Sequence, residues 1–167
     1  QHAKKHALIF TGSFRYRPNY EAMLWFIEQV FPIITRQFPD LQLIITGDHI
    51  NLPLPQHENI LLTGHIADEQ DLRSLLASAA VSIVPLLLGG GTRLKLLEAF
   101  ALKTPVVSTT KGAEGLNARD RQDLMIADDP AAFAQAVILV LQDHSLRSKL
   151  TENGYNLVRE EYSTDAI

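Results

Sequence analysis

Cysteine is absent from the 167-residue chain. Disulfides and thiolate chemistry are thereby excluded, and a reducing cytoplasm is the compartment we expect. Long apolar runs are missing too: none approaches the roughly 20 residues needed to cross a bilayer. The opening QHAKKHA lacks the apolar centre of a signal peptide and reads as a linker, as expected of a soluble chain cut from something longer. Positive charge is scarce, with 15 Lys and Arg against 19 Asp and Glu, giving a net charge of −4. No basic stripe is interleaved with aromatics, which argues against general nucleic-acid binding and requires any anion site to be local. Low-complexity tracts are also lacking, and 20% charged with 46% hydrophobic residues is a globular composition.

What is present fits one domain of ordinary size, residues 1–167, with no internal repeat. Short apolar runs stopped by glycine occur at ALIFTG (7–12), LQLIITG (41–47) and NILLTG (59–64). Further runs are AVSIVPL (80–86), PVVST (105–109) and DLMIA (123–127). Without clean alternation, all six read as strands covered on both faces. Helical patterns lie between them, with Asn19, Asp68, Thr92 and Asp129 as expected caps and Pro130 at a first helical position. Pro32 should interrupt the first helix near residue 30, with a short resumption after it. SLRSKLTENGYNLVREEY supplies a last amphipathic helix. The alternation predicts an α/β, Rossmann-like, doubly wound and mostly parallel six-stranded sheet with helices on both faces, in strand order 3-2-1-4-5-6.

Ligands of such sheets sit beyond the carboxyl ends of the strands where the order reverses, here at TGSFRYRPN and PLLLGGGTR. Gly89, Gly90 and Gly91 let backbone approach a ligand, and the helix opening at Thr92 points amide groups the same way. Arg93 and Lys95 in its first turn oppose the helix macrodipole, so an anion such as a diphosphate explains them better than helix stability does. The rest of LKLLEAFAL is apolar nearly all round, which predicts a largely buried helix whose Glu98 needs a partner, such as a ribose diol. The plain alternative is a Lys95–Glu98 i,i+3 pair beside a loose glycine turn. The motif is not a Walker loop, since Gly-Lys-Ser/Thr is absent, and GSFRYR lacks the second and third glycines of the dinucleotide fingerprint. His2, His6, His49, His57, His65 and His144 show no metal-ligand spacing, so no metal is expected. Ser13, Ser82 and Ser108 assemble no nucleophilic triad. The first strand lacks the acidic cluster of a receiver domain.

ENILLTGHIADEQDLRSLLASAAVSIVPLLLGGGTRLKLLEAFALKTPVVSTTKGAEGL resembles the carboxyl-terminal half of group 1 (family 4) glycosyltransferases of the GT-B fold. EAFALKTPVV is similar to that family's strongest local signature and FTGSFRYRPN to its first loop, and the likeness runs over residues 7 to 163. The resemblance implies the donor-binding domain of a retaining, metal-independent enzyme with no cofactor, acting in glycan biosynthesis. Such an enzyme transfers a sugar from a UDP or GDP sugar to an acceptor hydroxyl. It further implies an amino-terminal acceptor domain absent from this chain, through which peripheral membrane association would occur. Glu98 matches the ribose-binding glutamate of the family's paired motif. Gly90 stands where the first glutamate, which touches the donor sugar, is usual. Gly91 and Thr92, with Leu94 behind them, match the segment meeting the diphosphate. Gly12, Ser13 and Asn19 match the first loop, but the family's Arg and Lys there are replaced; Arg15 and Arg17 lie nearby. Arg93 and Lys95 are the substitute cations and the candidate catalytic groups, stabilising the leaving diphosphate. His65 and Ile66 match the loop beside the base, and TTKGAEGL (109–116) the loop beside the sugar. A noncatalytic nucleotide-binding or scaffolding module, or a GT-B sugar-nucleotide epimerase, remain the alternatives.

Overall fold

The computed structural model describes residues 5–161. His2 and the rest of the first four residues lie outside that range, as does the sequence after Glu161. Six strands form one sheet in the order β3-β2-β1-β4-β5-β6, the order expected from the sequence, and every pairing is parallel. They are β1 (Lys5–Thr11), β2 (Gln42–Thr46), β3 (Ile60–Gly64), β4 (Ala79–Val84), β5 (Val106–Ser108) and β6 (Met125–Ile126). The order reverses between β1 and β4, which pair at Leu8 with Val81 and Ile9 with Ser82.

The helices are α1 (Arg17–Trp25), α2 (Phe31–Gln37), α3 (Glu69–Ser78), α4 (Arg93–Ala101), α5 (Pro130–Gln142) and α6 (His144–Glu161). The crossover from β1 to β2 runs across the sheet in the opposite direction to those from β3 to β4 and β4 to β5. Right-handed connections therefore set their helices on opposite faces. Accordingly α2 packs with α5, and α4 packs with α6. The core centres on β1, β2 and β4, where Leu8, Ile9, Phe10, Leu43, Val81 and Ile83 are fully buried. Burial on both faces is why these strands read as apolar runs.

Several local expectations are corrected. NILLTG does not form a covered strand: β3 is the sheet edge, and its Leu61 and Leu62 are exposed. Asn19 is not a cap. Proline tolerates the first helical turn, so α1 begins earlier, with Tyr16 at the N-cap position and Pro18 inside the first turn. Pro32 likewise occupies a first turn, that of α2, and the interruption is a π turn over Phe26–Val30. The wider turn brings Phe26, Ile27 and Val30 inward together, and Phe26 meets Phe133 of α5 edge-on at 5.8 Å. Asp68 and Asp129 do cap, accepting the amides of Gln70 at 2.8 Å and Ala132 at 2.9 Å.

Candidate functional site

The loops after β1 and β4 meet at the carboxyl edge of the sheet. Thr92 occupies the N-cap position of α4 and is buried, yet its hydroxyl donates to the carbonyl of Gly112 at 2.6 Å instead of capping. The expected Thr92 cap is therefore not made. It anchors the helix to the loop after β5, and Thr92 itself caps none of the first-turn amides of α4, the end of the helix that favours an anion.

Lys95, one turn further, is half-buried and points toward the β1 loop, not along its own helix. Its ammonium stands 4.5 Å from the ring centroid of Phe10, itself fully buried in β1. A Cβ added at Gly12 would come within 3.0 Å of Lys95 Nζ and 2.7 Å of Asn19 Nδ2, so the glycine makes room for both side chains. Asn19 is held by donating to the carbonyl of Ser13 at 2.8 Å. Among the described residues no carboxylate pairs with Lys95. Burial brings its pKa down from 10.5 to about 8.

The Lys95–Glu98 pair is accordingly not formed. Glu98 lies 3.8 Å from Arg73 of α3, with its side chain 36% exposed. The expectation of a largely buried α4 is also corrected. Leu96, Leu97, Ala99 and Phe100 are buried, but Leu94 is 74% exposed and Arg93 is exposed. A helical wheel of leucines does not distinguish the flank facing the core from the flank facing a cleft.

The other cations near the first loop are engaged elsewhere. Arg15 pairs with Asp48 at 2.9 Å and Arg17 with Glu21 at 3.4 Å. Asp48 titrates below the ordinary carboxylate range because the Ile50 amide, and then Arg15, favour its ionised form. Lys111 and Glu114 pair with one another at 3.0 Å. Exposed His65 and half-buried Ile66 line a cleft of about 620 Å³ together with Gly12, Ser13 and Asp48. A larger cleft of about 930 Å³ is bordered by Arg73, Lys103 and Arg147. Among the described residues no group of three or more His, Asp or Glu is placed to hold a metal ion.

Sequence reasoning passed over Tyr16. Its hydroxyl accepts the Gly90 amide at 2.9 Å and donates to the Gly90 carbonyl at 3.2 Å, joining the two loops across the mouth of the site. Gly90 thus turns both backbone polar groups to Tyr16, and a Cβ there would enter open space.

A six-stranded parallel sheet in this order, with helices on both faces, is the Rossmann-like architecture of one half of a GT-B fold. The chain belongs to the group 1 glycosyl transferases, whose family pattern matches residues 5–143. It is 26% identical over 169 residues to a 44.6 kDa protein of the cps region of Klebsiella pneumoniae, covering 96% of this chain and 43% of that protein. The chain thus spans less than half the length of this curated relative. Its fold is similar to the C-terminal domain of the group 1 glycosyl transferase LpcC from Francisella tularensis. That match has a TM-score of 0.78 and 21% identity, and covers 96% of this chain and 88% of the other. Staphylococcus aureus TarM, solved in complex with UDP, matches with a TM-score of 0.76 and 14% identity, covering 99% of this chain and 34% of TarM.

Proposed function

We propose that this chain is a nucleotide-sugar-binding domain, the donor half of a retaining, metal-independent glycosyltransferase that uses a UDP or GDP sugar. The observation that carries the reading is Lys95: a cation without a carboxylate, held between the amino end of α4 and the β1 loop. A diphosphate in that gap meets fixed positive partners on two sides. Charge developing as the glycosidic bond breaks is stabilised by Lys95, Arg93 and the first-turn amides, a contact of the kind worth about 3 kcal/mol in a transition state. The acceptor hydroxyl then arrives on the face the diphosphate leaves, which retains configuration.

Glu98 takes the ribose. Its 3.8 Å approach to Arg73 is loose and half-solvated, so two sugar hydroxyls can replace water around it without breaking a buried pair. The base lies in the cleft beside His65 and Ile66, and the backbone of Gly91 and Thr92 borders the diphosphate. Exposed Leu87, Leu88 and Leu94, on the β4–α4 loop and the start of α4, give an apolar surface suited to packing against an acceptor domain outside this chain. The working compartment is cytoplasmic, with any membrane contact made through that other half.

Titration calorimetry of UDP and GDP against the wild type, Lys95→Met, Arg93→Ala and Glu98→Ala tests the assignment. Binding is expected to weaken in all three variants, by about tenfold or more for Lys95→Met, the loss expected for one charge-assisted hydrogen bond. Equal affinity in all four proteins would overturn the assignment of these side chains.

A further inference from the structure

We propose that Tyr16 is a positioning residue for the sugar of the donor, fastening the glycine loop that walls the sugar end of the cleft; this rests on the donor-binding reading above. The geometry orders the ligand. The base cleft lies on the β3-β2-β1 side, where His65 and Ile66 come from the loop after β3. Lys95 and the amide end of α4 mark the diphosphate. Beyond the diphosphate, away from the base, lie the loop leading from β4 into α4 and the loop after β5, so the sugar of a nucleotide sugar passes beside residues 88–90.

Packing of its own does little to hold that loop. Leu87 and Leu88 are exposed, and a Cβ at Gly90 or Gly91 would meet nothing within 4 Å. Tyr16 supplies a fastening from 74 residues away in sequence, with both polar groups of Gly90 bonded to one hydroxyl. The fit is close. A Cβ at Gly89 would fall within 2.4 Å of Tyr16 Oη and 2.7 Å of Pro18 Cγ, and Gly89 holds a φ of +82°, so residue 89 is glycine for two separate reasons. The diphosphate elements do not depend on this contact. Thr92 is tied to Gly112, and Leu96, Leu97 and Phe100 bury α4 against the core. Loss of the Tyr16 hydroxyl therefore frees the sugar wall while leaving the diphosphate cradle in place.

Calorimetry on this chain separates the two effects. Wild type and Tyr16→Phe are titrated with UDP and UDP-glucose, and with GDP and GDP-mannose. Phenylalanine keeps the ring and removes both hydrogen bonds. The expected result is diphosphate affinity within about twofold of wild type and a loss of about fivefold or more in the affinity the sugar adds, the scale of one to two net hydrogen bonds. Gly89→Ala, which pushes the hydroxyl aside, should give the same pattern by a different route. A merely structural role for Tyr16 would lower both ligands together. Wild-type binding with an unchanged ratio in Tyr16→Phe overturns this proposal alone, whereas wild type binding none of the four ligands overturns the donor reading and this proposal with it.

Discussion

Lys95 keeps a charge in a half-buried position at an energetic cost. Its folded pKa, near 8, lies below the ordinary 10.5. Between those values the unfolded chain binds more protons than the folded one, so this group makes stability rise with pH across that window. An anion beside the ammonium has the opposite effect and raises the pKa of the bound state. Diphosphate affinity is therefore expected to be full below about pH 8 and to fall several-fold by about pH 9.5 as the free protein loses the proton. Calorimetry across that range checks this. Lys95→Arg should flatten the profile, because a guanidinium stays charged throughout. Lys95→Met removes a desolvated charge from beside Phe10 and should stabilise the fold, raising the free energy of unfolding by about 1 kcal/mol while weakening binding, the usual opposition between a site and its scaffold. A denaturant titration that found Lys95→Met clearly less stable would show the ammonium to be held for structural reasons.

At the scale of elements, α4 is positioned by α6. Gly154 of α6 allows that approach, since a Cβ there would lie 2.8 Å from Phe100 Cδ1, and Phe100 is almost fully buried. Helix propensity alone would favour any residue but proline over glycine at position 154. We expect Gly154→Val instead to destabilise the chain by about 1–3 kcal/mol through overpacking, as read from chemical denaturation. The sheet itself was legible in the sequence, because strands covered on both faces appear as apolar runs and the helices between them carry Asp68 and Asp129 as caps. The exceptions have physical reasons. β3 is as apolar in sequence as β2, and only its edge position exposes Leu61 and Leu62. Asn19 has the chemistry of a cap but serves the Ser13 carbonyl, because Pro18 lets the helix start sooner. The meeting of the loops after β1 and β4 at one edge of the sheet was legible from the strand order. The Tyr16–Gly90 contact was not, since no local periodicity marks a partner 74 residues distant.

On the scale of the whole molecule, a chain with a net charge of −4 sets Lys95 and the amino end of α4 at one edge of the sheet. That edge joins a helix amino end, a lysine without a carboxylate and a glycine loop tied across to the first loop. Acidic groups near this edge are drawn to other cations: Asp48 to Arg15, Glu21 to Arg17 and Glu98 to Arg73. The most direct test is a crystal structure of this chain with UDP or GDP bound. The diphosphate is expected within hydrogen-bond reach of Lys95 Nζ and the first-turn amides of α4, with Glu98 on the ribose. A nucleotide seated instead in the cleft between Arg73 and Arg147, with Lys95 still against Phe10 and no phosphate near it, would contradict the account.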